Sequence, residues 1–544
     1  MQSPGLRSVS FLFSSFLRPK ASEPDRLAPY FRHGFWGNHK IFAGLFVALI
    51  AAVYGFLFGL TATAFLVQML IPVAIVVIVV VILLPESGVV FERTITGLFF
   101  AFYFALSVWP DYLAFEFGQL PWITAVRIIA IPLCLLLLVS LSQSRDLRGN
   151  LVKRLNSAPW VWKLLLTYFV ISFLTLGLSN EPVTSVNKFI IAIYAWGTMF
   201  LAAALIFAQP GRVRRFAVML WVGLLITCFI GLWEHRIGKV PWAGNIPSFL
   251  KIDDEVVGRV LSGAARAAIG EHRVQAKFTT PLSMAEFLAL VTPFVMHFIA
   301  RGRSIMERVA ALVTLPLIFF LIDKTDSRLG VIGFFLAIFG YLFLAAVQYW
   351  RRNRESVFAP LIVAAYPVMM VLVVIASFTV TRIRTMVWGG GAHQASNDAR
   401  AAQIERGIDI LMRQPFGHGI GSAADTLGYA NAVGTVTIDN YFLSIALEAG
   451  IIGFIAYYGA FVVGILVGAR AYIKVGYDEE VSWLLPALLS LGCYVVIKTV
   501  LSQQENHPFA FAMLGIAVIL IHKAKLLTEP TSAGVDWSFS GKPL

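Results

Sequence analysis

Fourteen apolar runs, near 41–59, 63–84, 95–109, 120–141, 159–178, 189–208, 216–233, 285–300, 309–323, 331–350, 357–380, 451–472, 481–500 and 508–522, leave this chain few folds to choose from. Runs of about 15–24 residues are what a helix needs to cross the hydrocarbon core of a bilayer. The expected fold is all-α: a polytopic membrane protein with about 12–14 transmembrane helices. The third run, interrupted by Trp109-Pro110-Asp111, is the weakest of the set. Composition agrees, with 58% hydrophobic and 13% charged residues over 544 positions, and no polar stretch is large enough to hold a sizeable core of its own. Cys134, Cys228 and Cys493 all lie inside apolar runs and read as buried thiols, neither a disulfide frame nor a metal site.

Charge then orients the spans. With the N-terminus in the cytoplasm, the positive-inside rule is obeyed at Arg145–Arg154, Arg212–Arg215, Arg301–Arg303, Arg351–Arg354 and His522–Lys525. The formal net charge of +13 is therefore topological, spread over short turns beside an anionic leaflet, and no nucleic-acid-binding module is visible. The expected organisation is a cytoplasmic N-terminal arm (1–40), one transmembrane domain (41–524) and a disordered cytoplasmic tail (525–544). Two long loops, 234–284 and 381–450, fall on the outer side and carry short helices. Loops this long in a multi-pass protein are where chemistry is to be sought.

Several polar residues stand out there. In the short outer turn Asp323–Gly330, Arg328 opens the next helix. It reads either as an interfacial arginine snorkelling to lipid phosphate or as a guanidinium fork for an anion. Arg259, Arg266 and Arg273 recur every seven residues. On a helix they would share one face, solvated or binding. Asp253-Asp254-Glu255 lacks the ligand spacing of a metal site. Ser396-Asn397-Asp398 supplies N-cap candidates for a helix near 399–412, with an apolar stripe at Ile404, Ile408 and Leu411/Met412. Arg400 lies on that stripe, so it points inward and requires a counter-charge. The turn Gln414–Gly421 carries Gly417, Gly419 and Gly421, which would let backbone N–H groups approach a ligand.

Taken in order, Lys277-Phe278-Thr279-Thr280-Pro281, Ser327-Arg328-Leu329-Gly330, Arg400, Pro415–Gly421 and Asn440-Tyr441-Phe442-Leu443 through Glu448-Ala449-Gly450 resemble the O-antigen ligase and polymerase superfamily. The resemblance covers roughly residues 160–475 and implies a GT-C-type glycosyltransferase of the bacterial inner membrane, working on the periplasmic face. Its donor would be a polyprenyl-diphosphate-linked glycan. Its acceptor would be another lipid-linked repeat unit in a polymerase of exopolysaccharide or O-antigen, or lipid A core in a ligase. The implied chemistry is inverting, with no metal and no cofactor. Arg273, Arg328 and Arg400 would hold the diphosphate, with Asn440, Glu448, Gly417 and Gly419 in support. Fixed guanidinium groups can neutralise a diphosphate leaving group in place of Mg²⁺.

One position departs from the pattern. The family carries His-Asn where this chain has Asp439-Asn440, and that histidine serves the acceptor hydroxyl. Asp439 is the first candidate to replace it, His418 or His393 the second, and loss of activity the third. The two additional N-terminal spans and the cytoplasmic arm leave room for other polysaccharide-assembly proteins as partners, besides membrane lipids. A multi-pass flippase or transporter is the rival class, and it would place ionisable residues at mid-membrane.

Overall fold

The computed structural model describes residues 40–116, 122–252, 254–263, 272–379, 381, 384, 394–430, 434 and 436–528. All fourteen apolar runs fall on helices, and among the described residues eleven helices are long and apolar enough to span a membrane. Two more, Gly44–Leu60 and Val67–Leu83, are apolar but shorter. The doubtful third run is a packed helix, Glu92–Val108, which buries Phe99, Phe102 and Tyr103 and stops before Pro110. The all-α membrane fold is thus as expected, and the strands among the described residues are the pair Ala114–Phe115 and Ile123–Thr124.

Eight helices frame the candidate site: α1 Arg212–Ile237, α2 Pro281–Arg301, α3 Arg328–Arg352, α4 Phe358–Thr379, α5 Gln394–Arg413, α6 Tyr441–Lys474, α7 Leu484–Lys498 and α8 His507–Thr528. The sequence fixes where three of them begin. Thr280 Oγ1 accepts from Ser283 N (3.1 Å) ahead of Pro281 in the first turn of α2, and Ser327 Oγ accepts from Gly330 N (3.2 Å) at the start of α3. Asn440 Oδ1 accepts from Phe442 N (2.9 Å) and Leu443 N (3.2 Å) and caps α6. Each cap satisfies amides that helix geometry would otherwise orphan, and each sets a polar segment at the same end of the bundle.

Helix α2 is innermost, with 89% of its apolar window buried, whereas α4 has 6% and faces outward. Small residues let α2 and α3 close together: a Cβ on Gly330 would lie 2.7 Å from that of Ala285, and one on Gly333 would lie 2.9 Å from that of Ala289. Helix α6 is broken at Gly450, which adopts φ 68°, ψ −175°. The amide freed at Ile451 donates to Pro415 O at 3.0 Å, so the turn after α5 is fastened to the break.

Candidate active site

At the end of the bundle where α2, α3 and α6 begin, a cavity of about 630 Å³ is lined by Arg273, Arg328, Arg400, Asp326, Asp439 and Gln503, among others. Its size lies within the roughly 300–1,000 Å³ usual for small-molecule sites. The three arginines come from segments 55 and 72 residues apart in the chain, and the fold gathers them. Leu282, Leu329, Ile332, Ile404 and Leu501 complete an apolar wall. A second groove, about 370 Å³ and almost wholly apolar, shares Ile404 with the cavity and runs between α5 and α6 over Ile408, Phe442 and Phe454.

The arginines are held in different ways. Arg328 is the first residue of α3, directly after the Ser327 cap. Arg273 lies on an extended loop, where its Nε donates to Thr325 O (2.9 Å) and Nη2 to Asp326 O (3.4 Å). That loop is stapled by Glu234, a fully buried carboxylate in the last turn of α1. Glu234 accepts from Gln275 N (3.2 Å) and Ala276 N (2.5 Å), and lies 2.8 Å from His272 Nε2. Ala276 is held at φ 50°, a left-handed conformation that costs a non-glycine residue roughly 1 kcal/mol or more. Arg400, half-buried on α5, is different again: its Nε is shielded from solvent and has no hydrogen-bond partner among the described residues.

Asp439 reaches the cavity just before the Asn440 cap, and its backbone N–H donates to Gln403 Oε1 at 2.9 Å. Gln403 is buried on α5, one turn beyond Arg400, so one helix positions both the cation and the carboxylate segment. Gln503 enters from the loop between α7 and α8. That loop is anchored by the buried pair Lys498–Glu286 (2.9 Å), by Lys498 Nζ donating to Gln503 O, and by Asn506 Nδ2 donating to Glu286 Oε2 (3.0 Å) and Ser283 O (2.8 Å). Its neighbour Glu505 accepts from Thr279 N at 3.2 Å, and burial pushes its carboxyl up to about 7, partly opposed by Lys277. Burial also raises the Asp111 carboxyl, against the pull of Lys277 and Arg127.

Other expected site residues lie elsewhere. His418 does not line the cavity; its N–H donates to Leu447 O (2.9 Å), and its Nδ1 sits 3.1 Å from the same oxygen. Gly417 and Gly419 do not approach the cavity either, and their backbone freedom serves packing. Gly417 lies against the Glu448–Gly450 backbone, Gly419 against Ser179, and Gly421 leaves room for the Lys188 methylenes. Glu448 is buried in α6, where Ser444 Oγ donates to it at 3.3 Å. Asn440 caps α6 and borders the apolar groove. His393 and Arg266 lie outside the described residues.

Three local expectations are corrected. The seven-residue arginine stripe does not form, because the helix carrying Arg259 ends at Ser262, Gly263 turns at φ 85°, and Arg273 sits on a loop. Helix α5 begins at Gln394, ahead of the proposed caps, so Asn397 and Asp398 lie within it; Gln394 Nε2 donates to Asp398 Oδ1 at 2.7 Å. The stripe at Ile404 and Ile408 is 40% and 50% exposed and walls the apolar groove, while Gln403 and Gly407 form the buried face. In the acidic triplet, Asp254 Oδ1 accepts from Val257 N (3.2 Å) as a helix cap, and Asp253 lies outside the described residues.

Fold and cavity together define a multi-pass all-α membrane protein with an arginine-lined cavity where several of its helices begin. Residues 310–458, which carry Arg328, Arg400 and Asp439, match the family model described as O-antigen ligase. This bears out the resemblance to the O-antigen ligase and polymerase superfamily and supports, in general terms, a ligase- or polymerase-type function on lipid-linked glycans in surface polysaccharide synthesis. No curated protein matches the chain.

Proposed function

We propose that the chain is a glycosyltransferase of the bacterial inner membrane that polymerises polyprenyl-diphosphate-linked repeat units on the periplasmic face, with both termini cytoplasmic. The observation that carries this is the cavity itself, with Arg273, Arg328 and Arg400 around one space, a buried Nε on Arg400 that has no partner among the described residues, and Asp439 on the same wall. A buried guanidinium nitrogen without a partner is costly unless a ligand supplies the acceptor. A diphosphate does so, and the adjoining apolar groove suits its polyprenyl chain.

In the reaction, an acceptor hydroxyl attacks the anomeric carbon from the face opposite the diphosphate. The new C–O bond forms as the bond to the phosphate oxygen breaks, which inverts the anomeric configuration. The hydroxyl proton passes to Asp439, and the polyprenyl diphosphate leaves with its charge met by the three guanidinium groups, so the step requires no metal. Of the candidate bases, Asp439 is favoured over His418 because it lines the cavity and His418 does not, while His393 lies outside the described residues.

The test is transfer by purified protein from a polyprenyl-diphosphate oligosaccharide, in EDTA, offered either a second lipid-linked unit or lipid A core. A ladder grown on the first acceptor alone is expected. Transfer to lipid A core alone would make the chain a ligase, and activity abolished by EDTA would contradict the metal-free step. Asp439→Asn should lower turnover at least about tenfold; full activity would remove Asp439 as the base.

A further inference from the structure

The opposite end of α3 carries a second basic cavity. At about 1.5 Å per residue it lies some 36 Å from Arg328, so it is no part of the catalytic site. Its volume is about 430 Å³, and its lining includes Arg301 at the end of α2, Arg352 at the end of α3, Gln348 and Tyr477, above a floor containing Leu342 and Ile362. Among the described residues no acidic side chain lines it. The nearby Glu479 is engaged elsewhere, by Arg303 Nη2 at 2.8 Å. Arg301 is placed by the Tyr477 ring, with Cζ 4.4 Å from the centroid.

Two features decide the kind of ligand. The basic rim demands an anion, and an arginine pair suits a phosphodiester. Below the rim the walls are apolar, and α4, which borders the cavity through Phe358 and Ile362, turns most of its surface outward. A soluble anion would leave that floor filled with water. A phospholipid fills both parts.

We propose that this cavity binds one anionic phospholipid of the leaflet opposite the catalytic cavity, its phosphate between Arg301 and Arg352 and an acyl chain along Leu342 and Ile362. The lipid joins the feet of α3 and α4, and α4 is the helix that precedes the segment leading to Arg400.

The experiment measures retention of phosphatidylglycerol against phosphatidylcholine of identical chains by the full-length protein in detergent, using native mass spectrometry. Wild type should prefer phosphatidylglycerol by about tenfold or more. The double variant Arg301→Ala/Arg352→Ala should lose that preference, while Arg351→Ala/Arg354→Ala, which removes the same charge from exposed neighbours, should keep it. Leu342→Trp, which fills the floor and leaves both arginines, should also release the lipid with an unchanged size-exclusion profile. Equal retention of the two lipids, equal loss in both double variants, retention by Leu342→Trp, or full displacement by inorganic phosphate would each overturn the proposal.

Discussion

Arg273 and Arg400 line the same cavity yet are built oppositely. Arg273 sits on a loop whose shape is imposed from outside: Glu234 gathers the amides of Gln275 and Ala276, and Arg273 in turn spends its Nε on Thr325 O. Arg400 sits on a regular helix that keeps its own backbone satisfied and leaves its Nε without a partner among the described residues. The first arginine braces the turn that presents Arg328 and contributes charge; the second has a donor in reserve for a ligand. A rigid scaffold with one unsatisfied buried donor is the arrangement expected of a preorganised anion site.

The largest effects should follow removal of the groups proposed to meet the diphosphate. Arg328→Ala and Arg400→Ala should each lower kcat/KM for glycan transfer at least about tenfold, as loss of a charged transition-state contact does. Unchanged turnover in either would take that residue out of the site. Removing the staple should cost less. Glu234→Ala should lower kcat/KM about three- to tenfold by loosening the Arg273 loop, and Glu234→Gln, which keeps one acceptor oxygen, should fall between it and wild type. If Glu234→Ala matches wild type, the contrast between a braced and a reserved arginine fails.

Much of the fold was legible because apolar runs of spanning length have one solution in a bilayer: all fourteen became helices, and Arg328 opens α3 as Ser327-Arg328 announced. The site was only partly legible: Arg400 does line the cavity, but the stripe it shares with Ile404 and Ile408 is exposed and walls the apolar groove, so its place did not follow from burial of that stripe. It was illegible where distant segments meet. Gln503 and Glu505 follow Arg400 by about a hundred residues and carry no motif, and their place depends on the buried Lys498–Glu286 pair. The Glu234 staple had a faint signal, since an acid in the last turn of an apolar helix opposes the helix dipole and must be compensated. The glycine turn misled because the freedom that admits a ligand equally admits a broken helix, and Gly417 meets Gly450.

The smallest effect concerns pH. Glu505 is pushed up to about 7 from an ordinary 4.5, so the folded protein holds its proton more tightly than the unfolded chain does. Its contribution to stability is full below about pH 4.5 and is lost as pH rises through about 7. Thermal unfolding in detergent should therefore show a decline across that window which Glu505→Gln flattens. An identical slope in the variant would assign the decline to other groups.

The central claim is that three guanidinium groups hold a diphosphate. It is tested most directly by titrating purified protein with a glycan-free polyprenyl diphosphate and with the corresponding monophosphate. Wild type should bind the diphosphate more tightly, and Arg400→Ala should reduce that preference at least about tenfold while leaving the weaker monophosphate binding nearly unchanged. Equal binding of the two lipids by wild type, or a preference that survives in Arg400→Ala, would contradict it.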